Sequence, residues 1–190
     1  SFRRNVRSKL GLGEDEFVFC FLGRLNRDKG VTDLVEAFVE AGLGPGHTLL
    51  IVGPDEDFIA KQVEARAKET GLSIILGGST RQPETFLAAS DVFCLPSFRE
   101  GFGTSVLEAA ACGLPAIVSR IYGLTDAVDE GRTGLCHEPG NVAEMSAALQ
   151  RMAHDAELRH TMGNAALLRA RENFSPDRVT LELAAFYRGL

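Results

Sequence analysis

The 190 residues are enough for one domain with a substantial core. A hydrophobic fraction of 45% with 24% charged residues is the composition of an ordinary globular protein, and a net charge of −6 argues against a nucleic-acid-binding surface. No apolar run approaches the roughly 18 residues that read as a membrane span.

Ser1 to Leu12 reads as a basic helix without the apolar stretch of a signal peptide, and the absent initiator Met suggests a fragment. Short apolar runs then alternate with amphipathic segments, the pattern of βαβ units around a parallel sheet. Strands are expected near 17–22, 48–52, 73–76, 91–95, 115–119 and 134–136. Phe17-Val18-Phe19-Cys20-Phe21-Leu22 is continuously apolar, which suits a strand covered on both faces. Between the strands, Gly30 to Ala41 carries Leu34, Val35, Ala37, Phe38 and Ala41 at helical spacing. Asp57 to Thr70 ends at a Gly71 C-cap, Pro83 to Ala89 opens on proline, and Thr104 to Cys112 stops at Gly113. Helices near 141–154 and 155–172 follow the sixth strand, and Ser175-Pro176 starts a last one near 176–188. The expected fold is α/β: a Rossmann-like, parallel six-stranded sheet with helices on both faces.

Cys20, Cys94, Cys112 and Cys136 are far apart, each in an apolar run, so they fit neither a disulfide framework nor a zinc site. They read as buried free thiols of a reducing cytoplasm. His47, His137, His154 and His160 lack metal-ligand spacing and read as surface or packing residues.

The first three strands end in Gly23, Gly53 and Gly77-Gly78, and the fourth in Leu95-Pro96-Ser97. Ligands of open α/β sheets lie beyond the carboxyl ends of the strands, so these loops converge on one edge. There the stretch Arg99-Glu100-Gly101-Phe102-Gly103-Thr104-Ser105-Val106-Leu107-Glu108 places two carboxylates eight positions apart. Gly101 and Gly103 let backbone approach a ligand, and the helix start offers unpaired N–H groups to an anion. Glu108 points back toward that start, on a face shared with Thr104. A helix this apolar is expected to bury Glu108 largely, and the Thr104 hydroxyl is available as its N-cap. Arg24 and Lys29 flank the turn after the first strand. With a helix N-terminus they can neutralise a diphosphate without metal, although on their own they read more readily as solvated loop charges. One carboxylate can hold sugar hydroxyls and the other a ribose diol, a pocket for a nucleotide joined to a sugar.

The glutamate stretch resembles the E-x7-E signature of the retaining nucleotide-sugar glycosyltransferases of group 1, glycosyltransferase family four. Gly23-Arg24-Leu25 with Lys29-Gly30 is similar to that family's diphosphate loop, and Leu49-Leu50-Ile51-Val52-Gly53 to its second strand. Ala89 to Ser97 matches the run into the signature, and Gly131-Arg132-Thr133-Gly134-Leu135 the late turn. The resemblance implies the C-terminal, donor-binding domain of a GT-B enzyme over 1–190, with the N-terminal acceptor domain absent. A segment at 174–190, with Phe186 and Tyr187 in its helix, would then pack toward that missing half.

By the same resemblance, Glu100, Arg24 and Lys29 are the catalytic residues. The donor is bound by Gly23, Arg24, Lys29, Arg81, Glu100, Gly101, Phe102, Gly103, Thr104 and Glu108. Glu100 contacts the donor sugar, Glu108 the ribose, and Arg81 either meets the base or is an exposed loop residue. The donor is an NDP-sugar, UDP by default, acting as a substrate. The resemblance implies no cofactor and no metal. It points to bacterial surface-glycan biosynthesis in the cytoplasm, where a lipid-linked acceptor and attachment to the inner face of the membrane would involve the missing half.

Competing readings bear on the same residues. Asp55-Glu56-Asp57 could hold a divalent metal in the Asp-x-Asp manner of the other glycosyltransferase fold. It also opens a helix, where acids are favoured by capping and dipole alone. Gly101-Phe102-Gly103 could begin a dinucleotide fingerprint, but Val106 stands at the third glycine and the motif does not follow the first strand. A nucleotide-binding module without activity and a sugar-nucleotide epimerase of the same fold remain alternatives.

Overall fold

The computed structural model describes residues 2–174, so the helix expected near 176–188 lies outside the described residues. In chain order the elements are α1 (Phe2–Lys9), β1 (Phe17–Leu22), α2 (Val31–Ala41), β2 (His47–Val52), α3 (Ile59–Thr70), β3 (Ser73–Gly78) and α4 (Pro83–Ala89). There follow β4 (Val92–Leu95), α5 (Thr104–Ala111), β5 (Ala116–Ser119), α6 (Leu124–Ala127), β6 (Gly134–His137), α7 (Val142–His154) and α8 (Ala156–Asn173). All six strands join one parallel sheet in the order β3-β2-β1-β4-β5-β6. The chain winds outward from β1 to β3, returns to the middle at β4, and winds outward the other way. The crevice between the ends of β1 and β4 is therefore the topological switch point, where ligands of open α/β sheets bind.

The unbroken apolar runs form central strands because helices cover the sheet on both sides. Val18 to Phe21 in β1 and Val92 to Leu95 in β4 are fully buried or nearly so. Helix α2 packs against α3 and α7, while α4 packs against α1 and α5, and α5 against α8. Phe19, Phe21, Phe38 and Phe93 are the largest core side chains. The strand β3 is only half-buried, as suits an edge.

The basic N-terminal segment has a structural task. Arg7 is buried, and its guanidinium donates to the carbonyls of Ala89 (2.7 Å), Gly13 (2.9 Å) and Glu16. Arg3 reaches the Asp91 carboxylate at 2.7 Å, and the other Asp91 oxygen accepts from the Val18 N–H at 2.8 Å. This clip fixes α1 to the edge of the sheet opposite the strand ends just described. Arg7→Met would leave three carbonyls without their donor. We expect a loss of about 2–4 kcal/mol in urea denaturation, of which Arg7→Lys recovers only part because an ammonium lacks the guanidinium fork.

Several local expectations need correction. Helix α3 begins at Ile59, not Asp57: Asp55 accepts hydrogen bonds from the N–H groups of Ile59 (2.8 Å) and Ala60 (3.2 Å), so the acids stand before the helix. Helix α5 has Gly103, at φ 65°, as its N-cap residue and no side-chain cap; Thr104 is its first residue. Cys20 and Cys94 are buried, and burial pushes the Cys20 thiol up to about 12, but Cys112 is exposed at the end of α5 and Cys136 is half-buried. All four thiols are free. His137 is fully buried at the end of β6, where burial lowers its pKa.

Candidate functional site

The loop after β1 is built by its neighbours. The Leu25 N–H donates to the Pro54 carbonyl at 2.8 Å, and the Glu56 N–H to the Leu25 carbonyl at 3.0 Å, so the loops after β1 and β2 run together. The acids complete the join. Glu56 accepts from Arg24 (3.2 Å) and from the Asn26 amide (2.9 Å), and Asp57 accepts from the Arg27 N–H (2.9 Å). Thus Asp55 caps α3 as expected, while Glu56 and Asp57 hold the cationic loop. Among the described residues no group of three or more His, Cys, Asp or Glu has an arrangement that could hold a metal ion.

On the other side of the crevice, the Phe98 N–H donates to the Asp28 carbonyl at 2.7 Å. This bond lays the start of the glutamate loop beside Lys29. The Lys29 ammonium and the Glu100 carboxylate form an ion pair whose side chains are 14% and 12% exposed. The loop after β5 supports Glu100 from behind. Gly123, at φ 87°, sits so close that a Cβ there would lie 2.5 Å from the Gly101 carbonyl oxygen, so no side chain fits.

At the same end of the sheet, past the ends of β1 and β2, is a hollow of about 330 Å³. It is lined by Leu22, Gly23, Gly53, Pro54, Thr80, Pro83, Thr104, Ser105 and Glu108. Its size lies at the lower end of ligand pockets. Strand-end glycines open it on one side. On another stands the start of α5, whose first N–H groups meet no capping side chain and carry the positive end of the helix dipole. Glu108 is exposed on this wall rather than buried as expected, because its helix turns Val106, Ala109 and Ala110 to the core instead. Partial burial, then the neighbouring Glu84, raises its pKa. A groove of about 270 Å³ between α2 and α3 lies apart from the strand ends, and its Arg66 is already paired with Glu36 and Glu69.

Of the residues expected at the site, Gly23, Thr104 and Glu108 line the hollow, while Lys29 and Glu100 are not in its lining and pair with each other. Gly101, Phe102 and Gly103 form the turn between Glu100 and α5, where Phe102 is 43% exposed. Arg24 stands at the rim, turned to Glu56, and Arg81 is exposed. Sequence reasoning did not single out Leu22, Pro54, Pro83 or Ser105 as site residues. Ser105 follows Thr104 directly in the signature, and Pro83 opens a helix facing the same edge, so position alone offered a signal for both.

The model of the glycosyl transferases group 1 family matches residues 2–169. The chain belongs to this family. Among curated relatives, the capsular polysaccharide biosynthesis glycosyltransferase CapM of Staphylococcus aureus is 29% identical over 91% of this chain and 46% of its own length. A D-inositol 3-phosphate glycosyltransferase of Paenarthrobacter aurescens is 32% identical over 96% of the chain and 47% of its own. The chain spans about half the length of these relatives. Among solved structures, sucrose-phosphate synthase of Thermosynechococcus elongatus superposes with a TM-score of 0.83 at 28% identity, covering 98% of this chain and 48% of that one. Anabaena HepE in complex with UDP gives a TM-score of 0.91 at 23% identity, over 100% and 53%, which shows that the two share this Rossmann-like fold over about half of HepE. Among the described residues no helix is long and apolar enough to cross a membrane.

Proposed function

We propose that residues 1–190 are the donor-binding half of a retaining glycosyltransferase, which binds a UDP-sugar across the hollow at the ends of β1 and β2 and the adjoining crevice between β1 and β4. The observation that carries this reading is the convergence at one sheet edge of Gly23, the start of α5, Glu108 and the Lys29–Glu100 pair. In this arrangement the diphosphate lies across the crevice. Lys29, Arg24 and the α5 N-terminus meet the charge that develops on it as the glycosidic bond breaks, without a metal. Arg24 is free to turn to the ligand because its pair with Glu56 is 60% and 40% exposed, and such a pair is worth about 0–1 kcal/mol. Glu100 orients the sugar, Glu108 accepts hydrogen bonds from the ribose hydroxyls, and Arg81 stands where the base emerges.

UDP is the nucleotide proposed, as in the HepE complex. A role in surface-glycan assembly is supported by the relative CapM, named for capsular polysaccharide biosynthesis. The other half of the enzyme would bring the acceptor, including a lipid-linked one at a membrane. Calorimetric titration of this chain with UDP, GDP and ADP tests the reading. UDP is expected to saturate one site, and sugar transfer by the chain alone to stay at background. Absence of saturable binding by all three nucleotides refutes it.

A further inference from the structure

The cation proposed for the diphosphate and the acid proposed for the sugar are bonded to each other. Lys29 and Glu100 stand 71 positions apart in sequence, and their pair is nearly closed to solvent. Ser97 joins them. Its side chain is fully buried, and its hydroxyl donates to Glu100 Oε1 at 3.0 Å, the same oxygen that Lys29 engages. No donor reaches Oε2 among the described residues. The Ser97 backbone is itself held in place. A Cβ on Gly30 would lie 2.2 Å from the Pro96 carbonyl oxygen, and the Phe98 N–H bonds the Asp28 carbonyl. The segment around Ser97 and the loop bearing Lys29 are therefore in fixed contact, and the Lys29–Glu100 pair is the part that can exchange.

Resting on the function proposed above, we infer that Ser97 is a positioning residue for the donor sugar, holding the Glu100 carboxylate while Lys29 passes from it to the diphosphate. The consequence is discrimination between donor and product. An intact sugar nucleotide gives both members of the pair a new partner: phosphate for Lys29, sugar hydroxyls for Glu100. A bare nucleoside diphosphate takes Lys29 but leaves Glu100, nearly buried, with only the Ser97 hydroxyl. Leaving a buried acceptor without its partner is costly, so re-forming the Lys29–Glu100 pair favours release of the product nucleotide.

The test titrates the whole 190-residue chain with UDP, UDP-glucose, UDP-N-acetylglucosamine, GDP and GDP-mannose, and follows the sugar nucleotide that gains most over its own diphosphate. Glu100→Gln is expected to bind the bare diphosphate roughly tenfold more tightly than the parent, since Lys29 is no longer held. In Ser97→Ala the affinity for the bare diphosphate should stay within about twofold, while the advantage of the sugar nucleotide falls roughly tenfold. Ser97→Thr, which keeps the hydroxyl, should restore that advantage. A merely structural role for Ser97 predicts instead that both ligands weaken together, and that result overturns the inference, as does an unaltered advantage in Ser97→Ala. A parent that holds no sugar nucleotide more tightly than its diphosphate also overturns it while leaving nucleotide binding intact. A parent that binds none of the five removes the proposed function, and this inference with it.

Discussion

Lys29→Ala is expected to abolish measurable UDP binding and to lower stability by about 2 kcal/mol, and the double variant Lys29→Ala, Glu100→Gln to recover the stability without the binding. The two effects have separate causes. Removing one member of a buried ion pair strands the other, at about 3–5 kcal/mol when burial is complete. With 12% of the Glu100 side chain still exposed, and Ser97 still donating to it, the lower figure is expected. Neutralising Glu100 removes the stranded charge and therefore the penalty. Binding does not return, because the diphosphate has lost the buried cation beside its crevice and Arg24 alone stands at the exposed rim. Urea denaturation and calorimetry on the three chains check this. A single variant that binds UDP like the parent, or a double variant no more stable than the single, contradicts it.

Glu108→Gln should weaken UDP binding roughly 10- to 100-fold while leaving the melting temperature equal to or above the parent's. An amide offers one acceptor oxygen and no charge to the ribose diol, which explains the loss. The stability follows from the raised pKa of Glu108, caused by burial first and by Glu84 second. A carboxyl group whose folded pKa lies above its unfolded value binds more protons in the native state than in the unfolded one across that interval. Its contribution thus disfavours folding at neutral pH and is relieved as pH falls through the folded value. Binding has the opposite sign. Acidification neutralises Glu108 at a pH above the usual glutamate value of about 4.3, and the ribose contact is lost with it. The difference in UDP affinity between parent and Glu108→Gln should therefore shrink as pH is lowered, and comparing the two chains cancels titration of the nucleotide itself. A difference that stays constant down to the ordinary carboxylate range would separate Glu108 from the ribose.

Much of the fold was legible because its signals are local. Largely apolar runs of three to six residues mark each strand to within one or two positions, and Gly71 and Pro83 punctuate α3 and α4 where expected. The four-residue α6 and the 3₁₀ turn at Arg27–Lys29 are too short to show a helical period. The start of α3 was misplaced because one Asp55 side chain caps two N–H groups across three intervening residues, a geometry that composition does not encode. At the site, the spacing of Glu100 and Glu108 was readable, but the charge partners were not. Arg24 meets Glu56 from 32 positions away and Lys29 meets Glu100 from 71. Such pairings exist only once the sheet order makes β1 the neighbour of both β2 and β4. The exposure of Glu108 is hidden for a related reason: a helix apolar enough to be expected largely buried covers the core with one face only.

The weld between the loops after β1 and β2 has a further consequence. Bonds from Leu25, Glu56, Asn26 and Arg27 make those two loops a single stiff body, whereas the turn after β3 closes on itself, with the Gln82 N–H bonded to the Thr80 hydroxyl. On the function proposed above, the loops assigned to phosphate would thereby be insulated from the edge strand, and Thr80 and Arg81 would be the positions where nucleobase preference can change without disturbing them.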